Sequence, residues 1–388
     1  MIEVPAAQEL ILAHAQAGGV DHEPHGPLLL GRTLGETIAA TADSPAFDKA
    51  LMDGYALCGP GPVFAILPGD IPAGASSNVP LSPGQARRVF TGAPVPSKST
   101  CVVKQEDCTA SGAELCVGAV PPDGKNIAPR GSDYRAGVPL LSAARHVTPA
   151  VLGQLAMLGV AVVPVIRRPS AAVLATGSEL VDLAIQPTGS QIRNSNGPML
   201  DALVQSCGAT AVNLGIAKDD KAALRERIRL GLHHDVLVLS GGVSVGDYDY
   251  TPEVLRDLGV TIHSHQVRMK PGKPMLFGTL GRTLVFGLPG NPMSAFVCFH
   301  LFVKPALQKM SGQSPITAPV EVSLTIDCHS HHDRPTYAPA VLSPQGVTPL
   351  PWVGSASLLP LLEANALLLL PCGACRLRAG QLVPVLPL

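Results

Sequence analysis

The sequence predicts an α/β multidomain fold, a parallel-sheet domain preceded by β-rich substructures and followed by a small β domain. Three observations lead there. Between Ser170 and Met310 the apolar runs AAVLA (171–175), DVLVLS (235–240) and TLVFGL (283–288) alternate with helix-period segments. Near-continuous apolar strands separated by helices are the pattern of a parallel sheet covered on both faces. From about Pro24 to Arg130 the texture is one of short β-type runs broken by Pro/Gly turns, such as FAILPGDIPAG and LSPGQARRVF. After Ser311 the chain turns Pro-rich and strand-like again to Leu388.

Taken in order, Glu3 to Ala17 has helical periodicity, and TPAVLGQLAML (148–158) reads as a helix with Thr148 at its N-cap and Pro149 in its first turn. The helices expected among the parallel strands are Pro198–Cys207, Asp220–Leu232, Pro252–Leu258 and Pro292–Met310. Three strands run into loops rich in Gly and polar residues: TGSEL, SGGVSVGDYDY and GLPGNPMSA. Because parallel strands point the same way, these loops gather at one sheet edge, where open α/β folds bind ligands.

Composition narrows the function classes. A formal net charge of −1 gives no bulk attraction to nucleic acid or an acidic membrane surface. Aromatics at 4 % leave little for base stacking. No window reaches the uncharged apolar length of about 20 residues that a membrane span needs. The start, MIEVPAAQELILAHAQ, lacks a basic n-region and reads poorly as a signal peptide. The nine cysteines are then expected as reduced thiols in the cytoplasm, with the lone CxxC at Cys372 and Cys375 read as a turn.

The chemistry is expected in the loops. In SGGVSVGDYDY the glycines let backbone N–H groups approach a phosphate, and Ser240 and Ser244 add hydroxyls. The loop fits neither the Walker A nor the GxGxxG pattern. Its carboxylates, Asp247 and Asp249, make sense beside a phosphate if a divalent cation bridges them; the alternative is helix capping. MKPGKPMLFG (269–278) sets Lys270 and Lys273 around a rigid Pro-Gly turn, suited to an oxyanion. In GLPGNPMSAF, Pro289 and Pro292 stiffen a strand-to-helix bend with Ser294 near the helix start. His263 and His265 alternate on a strand as a possible ligand pair, and His329, His331 and His332 cluster further on, neither group with a diagnostic metal spacing. A solvated edge or loop is the expectation for both.

Read together, MDGYA, TGAPVP followed by VVKQED, NIAPRGSDYRAG, ATGSEL, QIRNSNGPML, NLGIAKDD, SGGVSVGDYDY, MKPGKP and GLPGNPMSAF run in order from Ala46 to Phe296. In this the chain resembles the molybdopterin molybdenumtransferase family, of the MoeA and gephyrin E-domain type, and its tail resembles that family's C-terminal domain. The resemblance implies four parts: 1–24 with about 131–169, an inserted β-rich domain at about 25–130, a molybdopterin-binding α/β domain at 170–311, and a β-barrel-like domain at 312–388. It implies an elongated homodimer, with the active site between the α/β domain of one subunit and the N-terminal half of the other. Members insert molybdenum from molybdate into adenylylated molybdopterin with a divalent cation such as Mg²⁺, cleaving the pyrophosphate and releasing AMP. The family's setting implies a molybdopterin adenylyltransferase upstream and molybdoenzyme acceptors downstream. The alternative from another class is a molybdopterin-binding scaffold without insertion activity.

Carried onto this chain, the resemblance puts the pterin phosphate end on Ser240, Gly241, Gly242, Ser244, Gly246 and Asp247. It puts the cation near Asp249 and Asp219 or Asp220, and molybdate near Lys270, Lys273 and Ser294, with Pro289 and Pro292 in the substrate-binding loop. Asp53, Thr91, Asp133, Glu179 and Asp249 match catalytically important family positions. The chain departs from the family at Ser178, where an acidic residue is common, at Gln266, where a lysine is frequent, and near Pro339, where an arginine of the molybdate pocket is replaced. Arg268, Arg334, Ser355 and Ser357 are the nearby polar residues in sequence.

Overall fold

The structure, a computed structural model, describes residues 1–76, 79–243 and 249–388, without the side chains of Ser330, His331, His332 and Cys375. Ser244, Gly246 and Asp247 therefore lie outside the described residues. The chain forms two units, one of Met1–Gly35, His146–Thr148 and Val162–Leu388, the other of Glu36–Arg145 and Pro149–Ala161.

The first unit is organised by a six-stranded sheet. Its elements are α1 (Val4–His14), β1 (Ser170–Thr176), α2 (Asn196–Ser206), β2 (Thr210–Ala217), α3 (Lys221–Gly231), β3 (Val236–Ser240), α4 (Thr251–Asp257), β4 (Thr261–Ser264), β5 (Leu276–Leu280), β6 (Thr283–Leu288), α5 (Pro292–Cys298) and α6 (Lys304–Met310). The strand order is β2-β1-β3-β6-β5-β4. β2, β1, β3 and β6 are parallel, whereas β5 and β4 join antiparallel. The parallel sheet expected from sequence is thus the core of a mixed one. The antiparallel pair follows from the tight β5–β6 connection at Gly281–Arg282, too short for a crossover.

The continuous apolar runs have a plain cause. Ala171, Val173, Val236, Val238, Leu284 and Phe286 pack on one face with α1, α2, α5 and α6. Ala172, Leu174, Leu237, Leu239 and Val285 pack on the other with α3 and α4. Within these runs each residue meets a covered face, which keeps them apolar. On α3 the buried Leu224, Ile228 and Gly231 recur at helical spacing, and Asp220 caps the helix by accepting from the Ala223 N–H at 2.9 Å. The segment expected as one helix, Pro292–Met310, is α5 and α6 joined through a π-helical stretch, Phe299–Val303.

β4 carries a register shift between Ile262 and Ser264. The histidine pair predicted on one strand face is accordingly split: His263 Nε2 meets Thr279 Oγ1 at 2.8 Å, and His265 Nε2 meets the Val243 carbonyl at 2.9 Å. The second histidine cluster lies on Cys328–His332, a strand of a two-stranded sheet with Gly373–Leu377, and His329 there is exposed, as expected of a solvated edge. The C-terminal residues otherwise form a five-stranded antiparallel sheet from Val320–Ser323 to Leu382–Pro387, packed on its own apolar core. Among the described residues no helix is long and apolar enough to cross a membrane.

The second unit is built on a six-stranded sheet in which Gly54–Cys58 lies between Gln85–Val89 and Cys101–Lys104. A Cβ on Gly54 would collide with the Val103 carbonyl, so the glycine of MDGYA is required by strand approach.

One polar cluster ties the start of β1 to the start of β3. Asp235 accepts from Arg167 Nη2 at 2.6 Å and Nη1 at 3.0 Å, from the Ser170 N–H at 2.8 Å and from its hydroxyl at 2.9 Å. Burial pushes this carboxyl up, but the guanidinium and Ser170 outweigh it and hold the pKa below its ordinary value. The stabilisation is therefore present above the unfolded carboxylate's pKa and lost as pH falls through the lowered one. Asp235→Asn should cost roughly 1–3 kcal/mol near neutral pH. In urea titrations the gap between variant and wild type should narrow in acid; a gap independent of pH would refute the role assigned to the charge.

Candidate functional site

The strand order reverses between β1 and β3, since β2 lies on one side of β1 and β3 on the other. Loops leaving the carboxyl ends of two such strands diverge and leave a crevice. A cavity of about 750 Å³ occupies it, lined by Thr176, Gly177 and Glu179 after β1, by Ser240 to Val243 and Asp249 after β3, and by Pro289 to Pro292 after β6. The gathering of three loops expected from sequence is thus present, and the volume falls in the range of small-molecule sites.

Backbone shape and side-chain hydrogen bonds together build this crevice. Gly241 and Gly242 have φ of +95° and +62°. A Cβ on Gly241 would strike the Thr176 carbonyl, and one on Gly242 would lie 2.8 Å from the hydroxyls of Thr176 and Thr251. Two left-handed residues in succession turn the loop sharply off β3. Ser240 is 2 % exposed, and its Oγ accepts from Asn196 Nδ2 at 2.7 Å. The same amide reaches the Gly290 carbonyl at 2.7 Å. Asn196 Oδ1 is buried without a partner. An unpaired buried acceptor in the wall of a cavity is suited to a ligand N–H or O–H.

The acidic residues divide. Glu179, Asp219 and Asp249 line the cavity, and Asp220 does not, its side chain being used on α3. Asp219 Oδ2 accepts from the Ser178 N–H at 2.9 Å, and the Asp219 N–H donates to Ser178 Oγ at 3.1 Å. Ser178 thus buttresses Asp219. Arg193 is the cation in the same wall, held by the Leu183 carbonyl and Gln186. Among the described residues no three His, Cys, Asp or Glu side chains converge as a metal-binding group.

A neighbouring cavity of about 280 Å³ has the opposite character: Lys270, Lys273, Ser294, Arg334 and Ser355 line it. Pro274, Pro289 and Asn291 belong to both walls. Arg334 Nη1 donates to the Met269 carbonyl at 3.2 Å, which aligns it with the MKPGKP turn. Lys270 Nζ lies 5.9 Å from the ring centre of Trp352, and Ser294 is 3 % exposed. Asn291 Nδ2 donates to Ser355 Oγ at 2.9 Å, so Ser355 rather than Ser357 joins the pocket. Arg268 is turned to Glu3, 3.4 Å from its carboxylate, and Gln266 and Pro339 line neither cavity.

In the second unit, Asp53 Oδ1 accepts from both the N–H (2.8 Å) and the hydroxyl (2.7 Å) of Thr91. These two bonds hold the Asp53 carboxyl below its ordinary pKa. Asp53 and Thr91 line a shallow cavity of about 470 Å³ with Lys104 and Gln105. Asp133 is not part of it; its carboxylate takes the Ser44 hydroxyl at 3.3 Å.

Sequence reasoning named the loops but missed Asn196 as their tie, although QIRNSNGPML carries it; a buried amide at a helix start has no distinctive spacing. It also left Arg334 undecided between pocket and surface. If Gly241 is required for loop shape, Gly241→Ala should lower stability by about 1–3 kcal/mol, the scale of one forced backbone conformation. A thermal melt indistinguishable from wild type would contradict the collision with Thr176.

Comparisons with known proteins agree along the whole chain. Residues 2–159 match the model of the MoeA N-terminal region (domain I and II), 172–309 a probable molybdopterin binding domain, and 321–388 the MoeA C-terminal region (domain IV). A molybdopterin molybdenumtransferase from Nostoc sp. (strain PCC 7120) is 37 % identical over 379 residues, covering 92 % of this chain and 86 % of that protein. One from Bacillus subtilis (strain 168) is 35 % identical over 378 residues, covering 92 % and 87 %. The crystal structure of a molybdopterin biosynthesis MoeA protein from Pyrococcus horikosii superposes with a TM-score of 0.87 at 27 % identity, covering 100 % of this chain and 99 % of that one. Identity at this level across nearly the full length of both chains settles the grouping, and the chain belongs to the molybdopterin molybdenumtransferase family.

Proposed function

We propose that this protein is the enzyme that inserts molybdenum from molybdate into adenylylated molybdopterin, cleaving the pyrophosphate and releasing AMP. The observation that carries the proposal is the pairing of two cavities of opposite sign across one shared wall. The larger has backbone turns and hydroxyls fit for phosphate together with carboxylates; the smaller has two lysines and an arginine fit for a compact oxyanion. An enzyme that brings a nucleotide-linked pterin to an inorganic oxyanion needs both.

In this proposal Gly242 and Ser240 receive the phosphates through N–H and O–H donors, while Gly241, whose N–H is spent on the Leu288 carbonyl, shapes the turn. Asn196 Oδ1 takes a ligand hydrogen. Mg²⁺ characteristically uses one or two protein carboxylates and completes its shell with phosphate oxygens and water, which suits the carboxylates of Asp219 and Asp249 in the phosphate cavity. Asp219 and Asp249 are the residues that would hold it, and bound there it would act as a Lewis acid and neutralise phosphate charge. Lys270, Lys273 and Arg334 orient molybdate, and Trp352 limits the swing of Lys270. Glu179, in the wall of the phosphate cavity, is assigned to the reacting end of the nucleotide.

With the same proposal go the homodimer, in which Asp53, Thr91 and Asp133 serve the substrate of a second copy, and the four-part domain division. A molybdopterin adenylyltransferase would supply the substrate and molybdoenzyme acceptors would consume the product, in the cytoplasm.

The test is a turnover assay with adenylylated molybdopterin, Mg²⁺ and molybdate, following AMP and molybdenum cofactor together. Tight pterin binding without AMP release would instead identify a binding or scaffold protein. Asp249→Asn should reduce turnover roughly hundredfold or more, the scale of losing one electrostatic contact to the reacting group; undiminished turnover would remove Asp249 from the site. Arg334→Gln should raise the molybdate concentration needed for half-maximal rate while leaving pterin nucleotide affinity within twofold, roughly the noise of a surface change. An equal loss of both affinities would show that Arg334 does not belong to a separate oxyanion pocket.

A further inference from the structure

A fourth cavity, of about 600 Å³, is lined by residues that share nothing with the three above, among them Arg32, Thr33, Arg168, His300, Lys304 and Ser311. No Asp or Glu side chain belongs to its described lining. Its polar groups are left unused to an unusual degree. Thr33 is 2 % exposed and His300 7 %, and among the described residues the Thr33 hydroxyl, both His300 ring nitrogens and the Ser311 hydroxyl are buried without hydrogen-bond partners. Buried polar groups are seldom orphaned in a folded protein, and these belong to residues of one cavity lining.

The electrostatics specify the partner. Arg32 is 7 % exposed; its Nη2 donates to the Ile166 carbonyl at 2.8 Å, and its Nη1 stands 3.7 Å from Glu23. Burial and the like charge of Arg168 pull the Arg32 guanidinium below its ordinary pKa, with Glu23 and Asp21 opposing. Arg168 is fixed by donating to the Leu28 carbonyl at 3.2 Å. Two guanidiniums are therefore anchored by carbonyls with donors to spare, and Lys304 adds a third cation where α6 begins. The carboxyl end of α2 also reaches this wall, but its last-turn carbonyls are taken by the Cys207 and Gly208 amides and the Ser206 hydroxyl. His300 sits in the π-helical stretch, where the backbone departs from regular helix, as often happens at functional sites.

We propose that this cavity is a second oxyanion site, distinct from the Lys270–Lys273–Arg334 pocket, and that it takes the phosphate group of a small phosphorylated molecule. Paired guanidiniums match phosphate geometry, a nearby ammonium adds charge, and hydroxyls and a ring N–H complete the donor set. The volume accommodates more than the phosphate alone.

Two measurements on the full chain test the proposal. Crystals soaked in selenate, an anomalous-scattering oxyanion, should show a peak among Arg32, Arg168 and Lys304 in addition to any in the other pocket. Inorganic phosphate is then titrated calorimetrically into protein carrying Lys273→Gln and Arg334→Gln, which strips charge from that other pocket. Adding Lys304→Gln should weaken one class of the remaining phosphate binding roughly ten- to hundredfold, the scale of one charge-assisted contact, and leave any in the Ser240–Gly242 crevice unchanged. Should that variant misfold, the exposed Arg168→Gln gives the same comparison. A selenate peak confined to the Lys270 pocket, or phosphate affinity unchanged by both substitutions, would overturn the proposal.

Discussion

The side-chain amide of Asn196 is the contact on which the candidate site depends. One NH₂ group donates at 2.7 Å both to the Ser240 hydroxyl and to the Gly290 carbonyl. It thereby joins the first residue of α2 to the end of β3 and to the turn after β6. Each of these segments leaves a strand or opens a helix, where backbone groups have no regular partner. Without the amide, the end of β3 and the turn after β6 would lose their shared side-chain tie to α2. The crevice also depends on the sheet beneath: parallel neighbours deliver their carboxyl ends together, and reversal of strand order keeps the loops apart.

Much of this was legible in sequence, for reasons specific to each segment. The strands of the central sheet announce themselves because both faces are covered, so the apolar runs are uninterrupted. Helices with a clear buried stripe, such as α3, are equally plain. β2 was hidden because TAVNLGIA carries Asn213 and Gly215, and β5 because a Pro-Gly-Lys-Pro turn stands before it. The solvated edge expected for the first histidine pair was legible, since β4 is the last strand of the sheet and His263 is exposed, whereas the register shift in β4 was not. The π-helical stretch has no pattern that separates it from α-helix.

Site chemistry was legible to the extent that it sits in loops with glycine, proline and charge in unusual combination. The Lys270, Lys273 and Ser294 grouping could be inferred from two short stretches, and they do line one cavity. The contribution of Arg334 could not, because it comes from the C-terminal part of the chain and depends on the Met269 carbonyl to aim it. Asp219 and Asp220 are adjacent in sequence and indistinguishable there. Only the start of α3 separates them, with one drawn into capping and the other presented to the crevice.

The wall common to the two oppositely charged cavities is Pro274, Pro289 and Asn291. Proline has no backbone N–H, so two of its three residues offer neither anion a main-chain donor, and their rings resist bending. Only Asn291 brings an amide to this partition, and its side chain is turned to Ser355. Under the proposed function, two negatively charged reactants that would otherwise compete for the same cations could then wait side by side, each in its own berth, until chemistry unites them.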